Sequence, residues 1–373
     1  MTPALLLMLA APKSDFDEAR LAQIPVRMKQ FVEQKKVSGS VVLVAQRGRT
    51  VLRDAQGWAR VEGRVPMRED TIFQIMSMTK PIVALAAMTL VEDGRLRLDA
   101  PVSDYLPGFG ELVNGVKAER TPTVRMLMTH TSGLAGIDPG GLDDDAKRKI
   151  DLAEYGRLLA KESLAYEPGT KIQYSGPGLN ALGRVIEVAS GQSLPDYMRA
   201  RIFEPLKMSE TTFFLPEAKE PRLAWVYYRE NDRLVKLDED PMRPGAKLAN
   251  AAGGLYSTVD DLGRLTACLS KGGAPILSKS GLRTMTLVQS GSLLMDGSDA
   301  LGYGLGFTVV RAAAGTNQLK RIGTFGHTGA YGTEMWIDPA SGVSAVFLGQ
   351  GFGNVDEARK TFSTMVNAAY TGP

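Results

Sequence analysis

A serine, a lysine and a tyrosine carry the chemistry this sequence offers. Ser77-Met78-Thr79-Lys80 sets a hydroxyl and an amine three residues apart, and on a helix such positions share one face. Pro81 to Val91 follows, apolar on almost every side, the pattern of a helix buried all round. A serine at the start of that helix sits where free backbone N–H groups and the helix dipole favour a developing anion. With Met78 as the first helical residue, the missing N–H of Pro81 falls among the four that have no intrahelical partner. A lysine adjoining such a helix is partly desolvated, which lowers its pKa and makes it a usable base. An N-capping serine beside a solvated lysine is the simpler alternative, and it leaves the lysine's place beside an apolar helix unexplained.

Two further segments join this pair. Tyr174-Ser175-Gly176 lies in a loop after Pro168-Gly169, just ahead of a helix. Gly326-His327-Thr328-Gly329-Ala330 lies on a late strand bounded by glycines, where a ligand or another backbone can approach closely. Other chemistries are missing their signatures. No Gly-x-Ser-x-Gly and no Gly-Lys pair occur, which argues against a nucleophile elbow and a Walker A loop. Gly176 to Ala181 matches the dinucleotide fingerprint in letters only, with Pro177 inside the tight turn and no buried strand before it. Two histidines, His130 and His327, and one cysteine, Cys268, make a His/Cys zinc site an unpromising reading. His130 reads as a turn residue, neither acid nor base.

The elements that must position these groups show in the hydrophobic patterning. Ile24, Met28, Phe31 and Val32 recur at helical spacing, with Pro25 near the helix start. Ser40 to Gln46 and Thr50 to Asp54 read as a hairpin around Arg47-Gly48-Arg49. Gly94 stops the buried helix. Helical stripes fill the middle: Leu152 to Leu159, Leu179 to Ile186 closed by Gly191, and Asp260 to Leu269. Gly133 to Asp145, rich in Gly and Asp, reads as a mobile loop. Strands return at Gly306–Arg311, Arg321–Gly326, Tyr331–Ile337 and Val343–Leu348, and Asp356–Ala369 closes as a helix. The expected architecture is therefore α/β (α+β). One antiparallel sheet is built from both termini and flanked by helices. Residues 1–90 and 291–373 form this sheet domain, a mostly helical domain over 91–290 is inserted, and the active site lies between them.

The 373 residues, 44% hydrophobic and 23% charged, are ordinary globular composition, which excludes a disordered or collagen-like chain. The net charge of +3 is interspersed, so no nucleic-acid partner is indicated. One cysteine allows no intrachain disulfide. No apolar run approaches the length of a membrane span. Ala4 to Ala11 is apolar but short and is preceded by no Lys or Arg. It reads as the start of a helix or arm, which puts the chain in the cytoplasm, with a periplasmic or secreted location the alternative.

Taken together and in order, the three segments resemble the serine β-lactamase and penicillin-binding-protein superfamily, closest to class C β-lactamases and the family VIII carboxylesterases. Supporting stretches are Asp93 to Val102, Met128-Thr129-His130-Thr131-Ser132-Gly133-Leu134, Phe203-Glu204-Pro205-Leu206 with Met208, and Ala252 to Thr258. The resemblance runs from about Ser38 to the C-terminus. It implies an antiparallel sheet flanked by helices plus a helical domain. It implies Ser77 as nucleophile, Lys80 and Tyr174 as the pair that takes and returns its proton, and the N–H groups of Ser77 and Ala330 as oxyanion hole. His327-Thr328-Gly329 stands where many members have Lys-Thr-Gly. The tyrosine motif ends in Gly176 where members carry an Asn that helps hold a substrate amide.

Both departures remove grip on a charged amide and leave room for an uncharged ester. The expected function is a serine carboxylesterase that needs no metal or organic cofactor. Its partner is a small-molecule ester of short to medium acyl length, bound partly by His327, Thr328, Gly329 and Gly176. The alternatives are a class C-like β-lactamase, a D-amino-acid peptidase, an acyltransferase, or a non-catalytic binding protein on the same scaffold.

Overall fold

The computed structural model describes residues 14–373 apart from 239, 241, 296, 313–318 and 354. The apolar Ala4 to Ala11 stretch lies outside the described residues. In chain order the principal elements begin with α1 (Glu18–Glu33), β1 (Gly39–Gln46), β2 (Arg49–Arg60), β3 (Val65–Pro66) and α2 (Thr79–Glu92). The middle contributes α3 (Leu152–Leu159), α4 (Gly176–Ser190), α5 (Val259–Ser270) and α6 (Lys279–Thr286). The chain ends with β4 (Leu301–Tyr303), β5 (Thr308–Val310), β6 (Phe325–Gly329), β7 (Thr333–Asp338), β8 (Val343–Gly349) and α7 (Val355–Ala369).

The eight strands form one sheet in the order β4-β5-β6-β7-β8-β1-β2-β3, antiparallel throughout. The join between the two ends of the chain is the β1–β8 ladder, with Val41 opposite Leu348 and Val42 opposite Phe347. Every residue of β1 is buried, because helices cover both faces. Val42, Val44, Ala345, Phe347 and Trp336 face one core with Ile24, Met28 and Phe31 of α1 and Phe362 and Val366 of α7. Val41, Leu43, Val346 and Leu348 face the other core, which continues into α2, α4 and α5. The alternation along β1 thus splits a continuous apolar run between two cores.

Several sequence expectations shift by identifiable causes. α1 begins at Glu18, capped by the Asp17 side chain accepting from the Arg20 N–H, so Pro25 lies inside the helix and not at its start. The sequence reading missed that first turn because it holds a single buried apolar residue, Leu21. The strand expected over Arg321–Gly326 is displaced to Phe325–Gly329, since Gly323 adopts φ +89° in a turn. The segment expected as a loop over Gly133–Asp145 ends in a short helix, Asp144–Lys149, capped by Asp143. α5 lies within 91–290 yet packs on the sheet: its Val259, Leu262, Leu265 and Leu269 belong to the same core as Val41, Leu43 and Val346. An amphipathic helix needs an apolar partner, and the inner sheet face supplies it. Among the described residues no helix is long and apolar enough to cross a membrane.

Candidate active site

Ser77 is held in a single 3₁₀ turn, Met76–Met78, that leads straight into α2. The α-helix starts at Thr79, one residue later than expected, so Pro81 is its third residue and still costs no intrahelical bond. Residues 79–90 are all buried. Three sets of contacts fix the turn in place. Phe73–Gln74 pairs with Tyr256–Ser257, and Ile75 N–H donates to Leu255 O at 3.0 Å. Leu255 N–H in turn donates to Thr79 Oγ1 at 3.2 Å. From the opposite side Thr333 Oγ1 of β7 donates to Ile75 O at 3.0 Å. Gly329 closes the approach: a Cβ there would stand 2.5 Å from Ile75 O, so only glycine lets β6 end against the Ser77 turn.

Lys80 is 2% exposed. Its Nζ donates to Ser77 Oγ at 2.9 Å and to Ala252 O at 2.6 Å. It also lies 4.6 Å from the centroid of the Tyr174 ring. Burial without a carboxylate partner lowers its pKa from 10.5 to about 7. Tyr174 is hydrogen-bonded to Ser77, and desolvation of its hydroxyl raises its pKa to about 12. Three groups therefore converge: a hydroxyl, an amine poised to be neutral near pH 7, and a phenol that keeps its proton. This set can abstract a proton from Ser77 and deliver one to a leaving group.

The cleft beside them has a volume of about 550 Å³, and Ser77, Tyr174, His327, Thr328, Gly329 and Ala330 line it. Ala330 follows directly on β6. His327 is 5% exposed. Its Nδ1 lies 2.7 Å from Thr328 O, a separation that requires the proton on Nδ1. Burial first, and the Lys80 charge second, lower its pKa to about 3. The position is uncharged throughout the physiological range. Thr328 pairs with Glu334 across the ladder, so its side chain points to the α7 side of the sheet while His327 points toward Tyr174. Gly176 opens α4 behind the Ser175 cap. A Cβ there would meet only Ala252 Cβ at 3.6 Å, so the missing side chain leaves space, not strain. Among the described residues no three His, Cys, Asp or Glu side chains converge as a metal site.

His130 does more than turn the chain. Its backbone is left-handed, φ +58°. Its carbonyl accepts the N–H of Gln173 at 2.8 Å, and its Nδ1 accepts the N–H of Ser175 at 3.1 Å. One residue thus grips the chain on both sides of Tyr174. Its ring also packs on the Tyr174 ring, centroids 4.6 Å apart, with Tyr303 edge-on at 4.8 Å. To accept from Ser175, Nδ1 must be unprotonated, and burial holds the imidazole well below its ordinary pKa. His130 is a positioning residue for the phenol.

Residues 27–369 match the family described as Beta-lactamase. The chain belongs to the beta-lactamase family. It is 34% identical over 371 residues to Esterase EstB of Burkholderia gladioli, covering 89% of this chain and 91% of that protein. It is 32% identical to Penicillin-binding protein 4 of Amycolatopsis lactamdurans, over 77% of this chain and 74% of that one. Among solved structures it is similar to EstCE1, described as a hydrolase with promiscuous acyltransferase activity. There the TM-score is 0.83 and the identity 27%, over 95% of this chain and 99% of that one. This is the fold the motifs implied, an antiparallel sheet flanked by helices.

Sequence reasoning missed two participants in this beta-lactamase-family site. The clamp by His130 spans 45 residues, so no local spacing shows it. Its signal was the buried polar run Thr129 to Ser132. The carbonyl of Ala252 has no side-chain signature at all.

Two outcomes follow from this geometry. His130→Ala should lower kcat by about 10- to 100-fold with KM changed only a few-fold, since sub-ångström misplacement of a catalytic group is costly. His130→Asn retains an acceptor and tolerates positive φ, so it should recover most of that loss. Equal damage by both substitutions, measured in steady state, would count against the clamp. The second outcome concerns stability. A folded-state pKa below the unfolded one makes the buried amine a cost that is fully present below pH 7 and disappears as pH approaches 10.5. Wild type should therefore gain about 2 kcal/mol relative to Lys80→Met between pH 7 and 9 in urea unfolding. A pH-independent difference would mean that Lys80 is not desolvated.

Proposed function

We propose that this protein hydrolyses carboxylic esters of short to medium acyl length through an acyl-enzyme on Ser77. The observation that carries the reading is the pairing of a poised Lys80 with an uncharged His327. The first gives a nucleophile. The second leaves nothing at that position to hold a substrate carboxylate. The likeness to Esterase EstB and to EstCE1 supports the same reading.

In the mechanism, neutral Lys80 takes the Ser77 proton across 2.9 Å as Oγ attacks the ester carbonyl. The N–H groups of Ser77 and Ala330 receive the oxyanion, a type of contact worth roughly 3 kcal/mol per donor in related chemistry. The C–O bond to the alcohol breaks, the alkoxide takes the Tyr174 proton, and the Lys80 ammonium restores it to the phenol. Water then attacks the acyl-enzyme, losing its proton to the Lys80/Tyr174 pair while Ser77 regains its own. Lys80 and Tyr174 titrate as a unit, so the apparent pKa belongs to the pair. In this proposal Ser77 and residues 327–330 come from the sheet part of the chain and Tyr174 from the helical part, with the cleft between them.

The pH profile of kcat/KM reports this ionisation in the free enzyme. Activity should rise with pH through an apparent pKa near 7, as Lys80 loses its proton. It should then hold level well into alkaline pH, because Tyr174 stays protonated up to about 12. A flat profile between pH 5 and 9 would remove Lys80 from the proton path.

A panel of 4-nitrophenyl esters beside a chromogenic cephalosporin tests the substrate class. Short acyl esters should turn over and the cephalosporin should be cleaved poorly. Ser77→Ala should abolish ester turnover with the fold intact, and an active-site phosphonate should add its mass to the Ser77 peptide. A wild-type preference for the cephalosporin would move the β-lactamase reading to first place.

A further inference from the structure

Ser77 also borders a second cavity, of about 250 Å³, on the side away from Tyr174 and His327. Its wall carries a guanidinium. Arg243 Nη2 donates to Gln74 Oε1 at 2.6 Å, and Nη1 donates to Gly254 O at 3.3 Å. The group lies 5.3 Å from the Tyr256 ring centroid and touches Met76, the residue before the nucleophile. All these acceptors are neutral. Among the described residues no carboxylate lies within ion-pair distance of Arg243. The nearby Asp144 is bonded to Lys147 at 2.7 Å and is largely exposed, and Lys147 is shared with Asp138. Lys147, Arg148 and Asp144 line the cavity too, and the Arg243 charge is felt at Asp144 without a direct ion pair, so Arg243 keeps only neutral hydrogen-bond partners.

The proton path decides which half of an ester enters it. The departing alkoxide must meet the Tyr174 phenol, and Tyr174 lines the larger cleft but not this cavity. The alcohol leaves by the larger cleft, so the acyl chain occupies the smaller one. We infer that the acyl cavity of this enzyme selects acyl groups ending in an anion, a carboxylate above all, through Arg243. This rests on the ester-hydrolase reading and adds the substrate class to it. A carboxylate matches the planar fork of a guanidinium, and the charge-assisted bond is stronger than the neutral ones Arg243 makes now.

The test uses three 4-nitrophenyl esters with acyl chains of equal length: hexanoate, hydrogen adipate and 6-aminohexanoate. For the wild type, kcat/KM should favour the adipate over the hexanoate by about 10-fold and disfavour the amino ester, as expected for one well-placed charge. High salt should shrink the adipate preference without any substitution. Arg243→Gln should collapse the adipate-to-hexanoate ratio, and Arg243→Lys should keep part of it. The ratio is the readout, so a general loss of rate in either variant does not mimic the effect. A binding arm needs no ester turnover: adipate should slow phosphonate labelling of Ser77 in the wild type and not in Arg243→Gln. No charge preference among the three esters together with no protection by adipate would overturn the inference. Protection by adipate without turnover of any ester would overturn the esterase reading alone.

Discussion

An amine kept out of water beside a serine hydroxyl is the interaction around which this molecule is arranged. Lowering the Lys80 pKa from 10.5 to about 7 means that the folded state gives up roughly 4 kcal/mol at pH 7 relative to a freely ionised lysine. Nothing near Lys80 returns that cost in charge: its partners are a hydroxyl, a backbone carbonyl and the face of a tyrosine ring. A carboxylate there would stabilise the fold and ruin the base. The offset comes from the all-apolar α2 and the core that surrounds it, which is why a chemically demanding lysine sits on so featureless a helix.

Two strained backbone positions lie next to the same group. Met76, just before Ser77, has φ +48°, and His130, which grips the chain around Tyr174, has φ +58°. Neither is glycine, and conformations of this kind cost of order 1–3 kcal/mol unless their surroundings fix them. Here they are fixed on several sides. Thr333, Leu255 and Gly329 hold the Ile75–Met76 turn, and Gln173, Ser175 and Tyr303 hold His130. Serine and tyrosine come from segments almost a hundred residues apart, so their mutual placement depends on these clamps.

What could be seen in the sequence was whatever leaves a local signature. Ser77 and Lys80 share a helix face, and the helix that follows is apolar all round. The β1 and β8 strands are short apolar runs, and their ordered motifs match the family over nearly the whole chain. What stayed hidden depends on contacts across long separations. Pro25 marks no helix start because the cap at Asp17 lies a full two turns earlier. His130 looked like a turn residue because its two hydrogen bonds reach a loop beyond a 40-residue gap. Ala252 contributes a carbonyl, which every residue possesses. Arg243 comes to the Ser77 turn from more than 160 residues away, and nothing in its neighbourhood in the chain announces it.

The distribution of charge around Ser77 gives these pieces a common logic. On the alcohol side stands His327, held neutral by burial and by the Lys80 charge it faces. A second cation there would raise the cost of ionising Lys80 further and lower its pKa again, weakening the amine as a base. A cation tolerated near this nucleophile must therefore stand where Lys80 does not feel it strongly. Arg243 meets that condition: it lies beyond Met76, on the far side of the turn, and the Lys80 pKa is lowered by burial. The geometry that leaves the base tunable on one side of Ser77 thus leaves the other side free to carry a charge for recognition.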